Sequence, residues 1–254
     1  MTPVIRSLLL YLMILGLVAF GAVAMSVSNI YIYVSYLIII LVVLYFSKSL
    51  KWGKSPLSGL LLGSALIGAV FLIEIIAGWI KVEGFDFNPV LFFQFLVLQV
   101  LVSAGEELSF RGYILKNLID EIGVKNGIIL SSFMFSAIHI PSIVYYRLDV
   151  SREIIALAVV GMIGVLLAML YLAYGLMSTI GFHFAWNFLQ YNVFALALTQ
   201  PGLMDSRILK TNFLTGGSYG PEAGIMGFVV VFFALIIFIK KHSNLVNTPE
   251  IGEL

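Results

Sequence analysis

The fold is decided by the stretch from residue 7 to residue 47, which reads SLLLYLMILGLVAFGAVAMSVSNIYIYVSYLIIILVVLYFS. It contains no Asp, Glu, Lys or Arg, and residues 154–204 form a second stretch without these charges. A helix of about 20 apolar residues crosses the hydrocarbon core of a bilayer, so each stretch is long enough for two spans. Because lipid offers no partner to a bare backbone amide or carbonyl, the spans are expected to be helical.

The composition of the whole chain agrees with a membrane protein. Of the 254 residues, 61% are hydrophobic and 11% are charged, whereas soluble domains carry roughly 25% charged residues. The pattern predicts an all-α, polytopic transmembrane bundle of about eight helices, organised as a single domain over residues 1–254. The predicted spans are 4–25, 29–47, 57–80, 89–111, 126–145, 154–173, 176–198 and 222–239.

Charge and cysteine content exclude several classes of function. The formal net charge is +1 and there is no basic tract, so no nucleic-acid partner is expected. Cysteine is absent, which excludes disulfides, thiolate catalysis and cysteine metal ligands.

The distribution of Lys and Arg between the loops predicts the orientation in the membrane. If the amino terminus is cytoplasmic, eight Lys and Arg residues, Lys48 and Lys54 among them, lie on the cytoplasmic side and five lie outside. Counting Arg111 raises the cytoplasmic number to nine. This bias predicts an integral cell-membrane protein with both termini cytoplasmic.

Ionisable residues inside a span are costly and are functional candidates by default. Glu106, Glu107 and Arg111 fall at the end of the fourth predicted span, and His139 falls in the fifth. Glu107 and Arg111 are four positions apart with the acid first, which is the favourable orientation for an ion pair on a helix. Glu106 is turned away from Glu107 by about 100°. It is therefore free to take a proton from water and later return it.

The seventh predicted span carries His183 and Asn187, which are also four positions apart and share one helix face. Their side chains could donate hydrogen bonds to a developing oxyanion, and His139 could share the water with Glu106. Simpler interpretations are an interfacial Glu–Arg pair and histidines that bond neighbouring helices. The joint pattern favours a site, because two of the three histidines fall in spans. Glu74, late in the third span, is expected to reach the outer interface.

These residues lie in three ordered motifs: GEELSFRG at 105–112, FSAIH at 135–139 and HFAWN at 183–187. The motifs resemble those of the CPBP (Abi) family, which includes the type II CAAX prenyl endopeptidases and bacteriocin-immunity proteins. The stretch TGGSYGPE at 215–222 is also similar to bacterial members. The resemblance covers roughly residues 100–225.

The resemblance implies an eight-helix intramembrane endopeptidase with a protease core at about 89–239, preceded by further spans over 4–80. In eukaryotic members the substrate is a prenylated protein whose last three residues are removed. The partners implied here are the lipid bilayer and a membrane-anchored protein or peptide substrate, which need not be prenylated. The implied roles are catalytic base for Glu106, water ligand for His139, oxyanion donors for His183 and Asn187, and support for Glu107 and Arg111.

The resemblance leaves the cofactor open between a glutamate protease and a metalloprotease. Two histidines and one glutamate could bind zinc with an open position. If a divalent metal takes part, its ligands are expected to be Glu106, His139 and His183. The sequence has no His-Glu-x-x-His helix, so catalysis without a metal is favoured.

A different class of function also accounts for these residues. Intramembrane acids and histidines build proton relays and ion paths, so a transporter is an alternative. A non-enzymatic bacteriocin-immunity or scaffold factor could keep the same fold. The inverted repeats common in transporters are not visible in the sequence.

The predicted spans place the candidate residues at different depths. If the fifth span begins near Asn126, His139 lies about 20 Å along its helix, whereas Glu106 lies near the inner end of the fourth span. A re-entrant segment over 112–127, a steep tilt or a wrong boundary would remove this difference. Pro141 is expected to kink or end the helix just past His139.

Overall fold

The computed structural model describes residues 2–24, 28–47, 50–53, 55–197, 202–210 and 213–247. Each of the eight predicted spans contains a helix, which confirms the all-α, polytopic architecture. Within the described ranges, five helical segments are long and apolar enough to cross a membrane. Lys48 and Lys54 lie outside the described residues, as do the span ends predicted at 25 and 198.

The helices follow the predicted order along the chain. The amino-terminal part contains α1 (Pro3–Ala24), α2 (Ile30–Phe46) and α3 (Leu57–Ile76). The middle contains α4 (Pro89–Glu107), a π-helix (Leu108–Leu115), α5 (Lys116–Ile122), α6 (Val124–Ala137) and α7 (Ile140–Tyr145). The last part contains α8 (Val150–Tyr174), α9 (Leu176–Asn187), a second π-helix (Phe188–Val193), a 3₁₀ turn (Pro221–Ala223), α10 (Ile225–Lys241) and α11 (Asn244–Asn247). Many large apolar side chains on these helices are exposed, as expected where lipid is the solvent.

Two short strands, which the sequence did not predict, join two distant loops. β1 (Ile80–Phe85) follows α3 and pairs antiparallel with β2 (Met204–Ile208), with Ile80 opposite Ile208. The third predicted span therefore ends at Ile76 rather than at residue 80. The two strands hold the loop between α3 and α4 beside the loop that precedes α10.

The fourth helix is longer than the sequence predicted. α4, the first π-helix and α5 are continuous over Pro89–Ile122, so the boundary expected at residue 111 is wrong. The polar residues after that position, beginning with Lys116, favoured a loop. The helix instead ends at Gly123, whose φ of +82° is a left-handed conformation that favours glycine.

This continuation removes the predicted difference in depth. Glu106 lies 16 positions before Ile122, which is about 24 Å of helix at 1.5 Å per residue. His139 lies 15 positions after Val124, about 22 Å in the other direction. Because α5 and α6 pack against each other across the Gly123 turn, the two residues come to a similar depth.

The helix that carries His183 is held against α3 by close backbone packing. Gly59 and Gly63 on α3 face the backbone of α9, and a Cβ added at Gly63 would lie 2.6 Å from the carbonyl oxygen of Phe182. Small residues four positions apart allow two helices to approach closely inside a membrane. The contact therefore sets the position of α9 and of the site residues on it.

Glu74 is buried within the bundle, and its place at the outer interface stays a prediction. Its side chain is 1% exposed, and neither carboxyl oxygen has a hydrogen-bond partner in the part of the chain that the structure describes. α9 and α10 both pack against α3, whereas Ile76 at the end of this helix is 84% exposed.

Candidate active site

The polar candidates meet in one cavity inside the helical bundle. Its volume is about 340 Å³, and its wall is built from α1, α2, α4, α6 to α9 and the segment before α10. The cavity brings together the four residues assigned to catalysis from the sequence. The polar residues in the cavity wall include Tyr36, Gln99, Glu106, His139, Ser142, Tyr146, His183, Asn187, Tyr191, Tyr219 and Glu222.

Glu106 has one bonded and one unbonded carboxyl oxygen. The residue lies in the last turn of α4 and is 4% exposed. Its Oε1 accepts a hydrogen bond of 2.6 Å from the hydroxyl of Tyr36. Its Oε2 has no hydrogen-bond partner among the described residues and lies 3.9 Å from Nε2 of His183. Oε2 therefore keeps lone pairs available to accept a proton.

Glu107 is fully buried and joins two other site residues. Its Oε1 accepts a hydrogen bond of 2.9 Å from Nη1 of Arg111, which is the contact that the i, i+4 spacing predicted. The same oxygen lies 2.8 Å from Nδ1 of His183. With Nδ1–H donating to the carboxylate, Nε2 of His183 is the nitrogen that faces Glu106. A carboxylate on one ring nitrogen fixes the orientation of the ring.

Arg111 is 2% exposed and has partners on two other helices. Its Nη2 donates a 3.2 Å hydrogen bond to the carbonyl oxygen of Gly164 on α8. Its Cζ lies 4.2 Å from the ring centroid of Phe135 on α6, which is cation–π geometry. The positive charge is thus offset by Glu107, a carbonyl and an aromatic face rather than by water.

His139 lies where the fifth span breaks. α6 ends at Ala137 and α7 begins at Ile140, with Pro141 in its first turn, so the break expected near this proline is present. Nδ1 of His139 lies 2.9 Å from the carbonyl oxygen of Phe135. With Nδ1–H donating to that carbonyl, Nε2 is an acceptor in the neutral ring. The half-buried ring also lines the cavity.

Asn187 is the last residue of α9 and lines the same cavity as His183, one turn further along the helix. Two of the three helices that carry a motif, α4 and α9, pass directly into a π-helix, at Leu108 after Glu107 and at Phe188 after Asn187. Such segments are rare and often occur at functional sites. The wider turn changes the direction of side chains immediately after the site residues.

Tyr36 and Glu222 are among the polar residues of the cavity wall that the sequence analysis missed. Tyr36 lies on α2, in a span that appeared to contribute only apolar surface, and nothing in its local sequence distinguishes it from other tyrosines. Glu222 lies before α10 and accepts hydrogen bonds from Nε1 of Trp186 at 2.8 Å and Nε2 of Gln190 at 2.6 Å. An acidic residue beside an apolar helix, in the TGGSYGPE stretch, was the available signal for Glu222.

The residues proposed as metal ligands do not form a ligand set in this structure. Glu106, His139 and His183 line one cavity. Among the described residues, however, no group of three or more His, Asp or Glu side chains is arranged to hold a metal ion.

Comparison with known proteins bears on the segment that contains this cavity. Residues 88–189 match the model of the family described as type II CAAX prenyl endopeptidase Rce1-like. The matched segment contains all three motifs, which confirms the resemblance that they carry. No curated protein matches the chain. The chain is thus a membrane protein whose residues 88–189 are similar to the family described as type II CAAX prenyl endopeptidase Rce1-like.

Proposed function

We propose that the protein is an intramembrane endopeptidase that hydrolyses a peptide bond of a membrane-associated protein, with water activated by Glu106 and His139. The observation that carries this proposal is the position of Glu106 Oε2, which is unbonded among the described residues and 3.9 Å from Nε2 of His183. A buried carboxylate with a free oxygen beside an imidazole is suited to general base catalysis.

The proposed reaction begins with a water molecule between Glu106 and His139. The water donates one hydrogen bond to Glu106 Oε2 and the other to Nε2 of His139, which is an acceptor in the tautomer that bonds the Phe135 carbonyl. Glu106 takes a proton as the water oxygen attacks the substrate carbonyl carbon. It then returns that proton to the leaving nitrogen as the carbon–nitrogen bond breaks.

His183 and Asn187 are proposed to stabilise the oxyanion of the tetrahedral intermediate. The amide of Asn187 donates one hydrogen bond, and Nε2–H of the His183 imidazolium donates the other. Glu107 offsets the positive charge on this ring through the 2.8 Å contact at Nδ1. Arg111 in turn holds Glu107, so the supporting pair acts by orienting His183 rather than by touching substrate.

The location of the cavity supports a membrane-associated substrate. The cavity lies within a bundle whose outer surface carries many exposed apolar side chains, which is compatible with a substrate anchored in the same bilayer. A prenylated protein cleaved near its carboxyl terminus is the substrate that the family implies. The apolar part of the cavity wall suits a lipid-modified or hydrophobic peptide. Its residues include Leu17, Val18, Ile32, Leu98 and Val102.

The proposal is tested by incubating the purified, detergent-solubilised protein with a prenylated CAAX peptide. Wild type is compared with Glu106→Gln, which removes the base but keeps the shape of the side chain. Glu121→Gln is the matched control, because Glu121 is exposed near the end of the same continuous helix. We expect cleavage by wild type and by the control, and none by Glu106→Gln at equal folded yield.

A second reaction with chelator tests whether a metal takes part, since metal removal would abolish a metalloprotease and leave a glutamate protease unchanged. Cleavage that persists in Glu106→Gln would contradict the role of Glu106 as the base. Failure of wild type to cleave prenylated or unmodified membrane peptides would favour an immunity or scaffold role instead.

A further inference from the structure

The hydrogen bond between Tyr36 and Glu106 joins the amino-terminal helices to the candidate catalytic base. Tyr36 lies on α2, 70 positions before Glu106 and outside the segment that matches the peptidase family. Its side chain is 5% exposed, and its hydroxyl lies 2.6 Å from Oε1 of Glu106. A hydrogen bond to a carboxylate at this distance is charge-assisted and stronger than a bond between neutral groups.

We propose that Tyr36 is a positioning residue that determines which oxygen of Glu106 acts as the base. This inference rests on the function proposed above. A carboxylate side chain can rotate about its last bond, and its two oxygens are chemically equivalent. The hydroxyl of Tyr36 holds Oε1 and thereby presents Oε2, the oxygen beside Nε2 of His183. Tyr36 itself has no contact with the reacting atoms in this scheme.

The backbone at Gly105 provides a second observation for the same role. A Cβ added to Gly105 would lie 2.9 Å from Cδ1 of the Tyr36 ring. Glycine therefore leaves the space that lets the ring approach α4 and lets its hydroxyl reach the next residue, Glu106. A larger residue would displace the ring, because α2 and α4 pack against each other and the ring is buried between them.

Through these contacts the amino-terminal helix α2 supplies a residue that orients the proposed catalytic base. α2 packs on α4 and on the first π-helix, so the position of Tyr36 depends on the same helix packing that holds the motif. The family segment alone contains the base and its histidine, whereas the residue that orients the base comes from α2.

The kinetic test compares Tyr36→Phe and Gly105→Ala with wild type on a peptide that wild type cleaves. Both variants are expected to lower kcat by about tenfold to a hundredfold, as loss of a hydrogen bond to a charged group would. For Tyr36→Phe, KM is expected to stay within about twofold, because the ring stays in the cavity wall and only the hydroxyl bonded to Glu106 is lost. Tyr33→Phe is the matched control, since Tyr33 lies on the same helix and its hydroxyl donates to the backbone carbonyl of Gln94 on α4.

A second test needs no substrate and measures the Tyr36–Glu106 contact itself. The melting temperatures of Tyr36→Phe, Glu106→Ala and the double variant are compared with wild type in the same detergent. Either single variant already loses the hydrogen bond, so the double variant is expected to lose less than the sum of the two shifts. A deficit of about 2 °C or more would be measurable.

The outcomes separate this inference from the proposed function. Additive melting shifts would show that the two side chains are not coupled and would overturn the inference. Coupled shifts together with an unchanged kcat in Tyr36→Phe would leave the contact but remove its catalytic role. An equal loss of kcat in Tyr33→Phe would assign the effect to general α2–α4 packing. A wild type that cleaves no peptide would overturn the proposed function and with it the kinetic role of Tyr36, while the melting cycle would still decide the contact.

Discussion

Glu107 and His183, which are 76 positions apart in the chain, are joined by a 2.8 Å hydrogen bond between Oε1 of Glu107 and Nδ1 of His183. The same oxygen accepts a hydrogen bond from Arg111, so one carboxylate links a guanidinium and an imidazole inside the bundle. Nδ1 of the His183 ring is bonded to Glu107, whereas Nε2 faces Glu106 across the cavity. The two adjacent glutamates therefore differ in their partners, because Oε1 of Glu107 bonds Arg111 and His183 whereas Oε1 of Glu106 bonds Tyr36.

The buried Arg111 is expected to be essential for folding as well as for activity. Arg111→Ala would leave Glu107 charged and uncompensated in a low-dielectric site, a change that costs about 3–5 kcal/mol when a buried pair is broken. Yield after solubilisation and melting temperature are the measurements. Arg152→Ala is the control, because Arg152 pairs with Asp149 at the exposed start of α8 and should change little. Wild-type yield and activity in Arg111→Ala would contradict the pairing.

His183 is expected to contribute more to catalysis than to folding. His183→Ala removes a proposed oxyanion donor and should lower kcat by about 10²–10³-fold. Its folded yield should exceed that of Arg111→Ala, since the Arg111–Glu107 pair remains. The control His242→Ala alters a histidine that bonds Tyr174 near the carboxyl-terminal end of α10, away from the cavity. Peptide cleavage at saturating substrate measures both variants, and equal rates in the two would exclude the proposed role.

The close packing of α3 on α9 is expected to be sensitive to a single methyl group. Gly63→Ala places a Cβ 2.6 Å from the carbonyl oxygen of Phe182, so α9 must shift, at a cost of about 1–3 kcal/mol for overpacking. Both melting temperature and cleavage rate should fall, because α9 carries His183. Gly68→Ala on the same helix is the control, since a Cβ there meets nothing within 4 Å. That variant should be neutral or more stable by up to about 1 kcal/mol. Equal behaviour of the two would show that the helices are not in close contact.

The stability of the protein is expected to depend on pH through Glu222, which lies in the 3₁₀ turn before α10, because the helix of the eighth span begins at Ile225 rather than at residue 222. Burial raises the pKa of Glu222 above its ordinary value of 4.5, although hydrogen bonds from Trp186 and Gln190 oppose this shift. Below pH 4.5 the residue is protonated in both the folded and the unfolded protein. As the pH rises, the unfolded chain ionises first, so the stability associated with the protonated form is lost as the pH approaches the raised pKa.

The comparison of wild type with Glu222→Gln isolates this contribution. Glutamine does not ionise, so the melting temperature of wild type should fall relative to that of Glu222→Gln as the pH rises above the ordinary pKa of 4.5. Glu83→Gln, on the partly exposed strand β1, serves as the control for charge removal. A constant difference between wild type and Glu222→Gln as the pH rises would show that Glu222 does not titrate differently on folding.

Contacts within the candidate site were predictable where the two residues lie close together in the sequence. The i, i+4 spacing of Glu107 and Arg111 predicts their contact on any helix, and the structure has it at 2.9 Å. The rarity of charge within the apolar stretches likewise singled out His139 and His183. The boundary of α4 was not predictable in the same way, because polar residues such as Lys116 are compatible both with a loop and with a helix end. The catalytic roles of these residues stay predictions until the variants are measured.

The sequence by itself determined that the chain is an all-α membrane protein and which few polar residues lie within its spans. These properties follow from composition and helical spacing, which need no knowledge of how the helices pack. Only the tertiary structure decided that Tyr36 bonds Glu106, that His183 bonds Glu107 and that Glu222 lines the same cavity. Each of these contacts joins residues from different helices or loops. Their existence depends on helix length, on the glycine contacts between α3 and α9 and on the depth at which each helix crosses the bundle, all of which arise from packing over the whole chain.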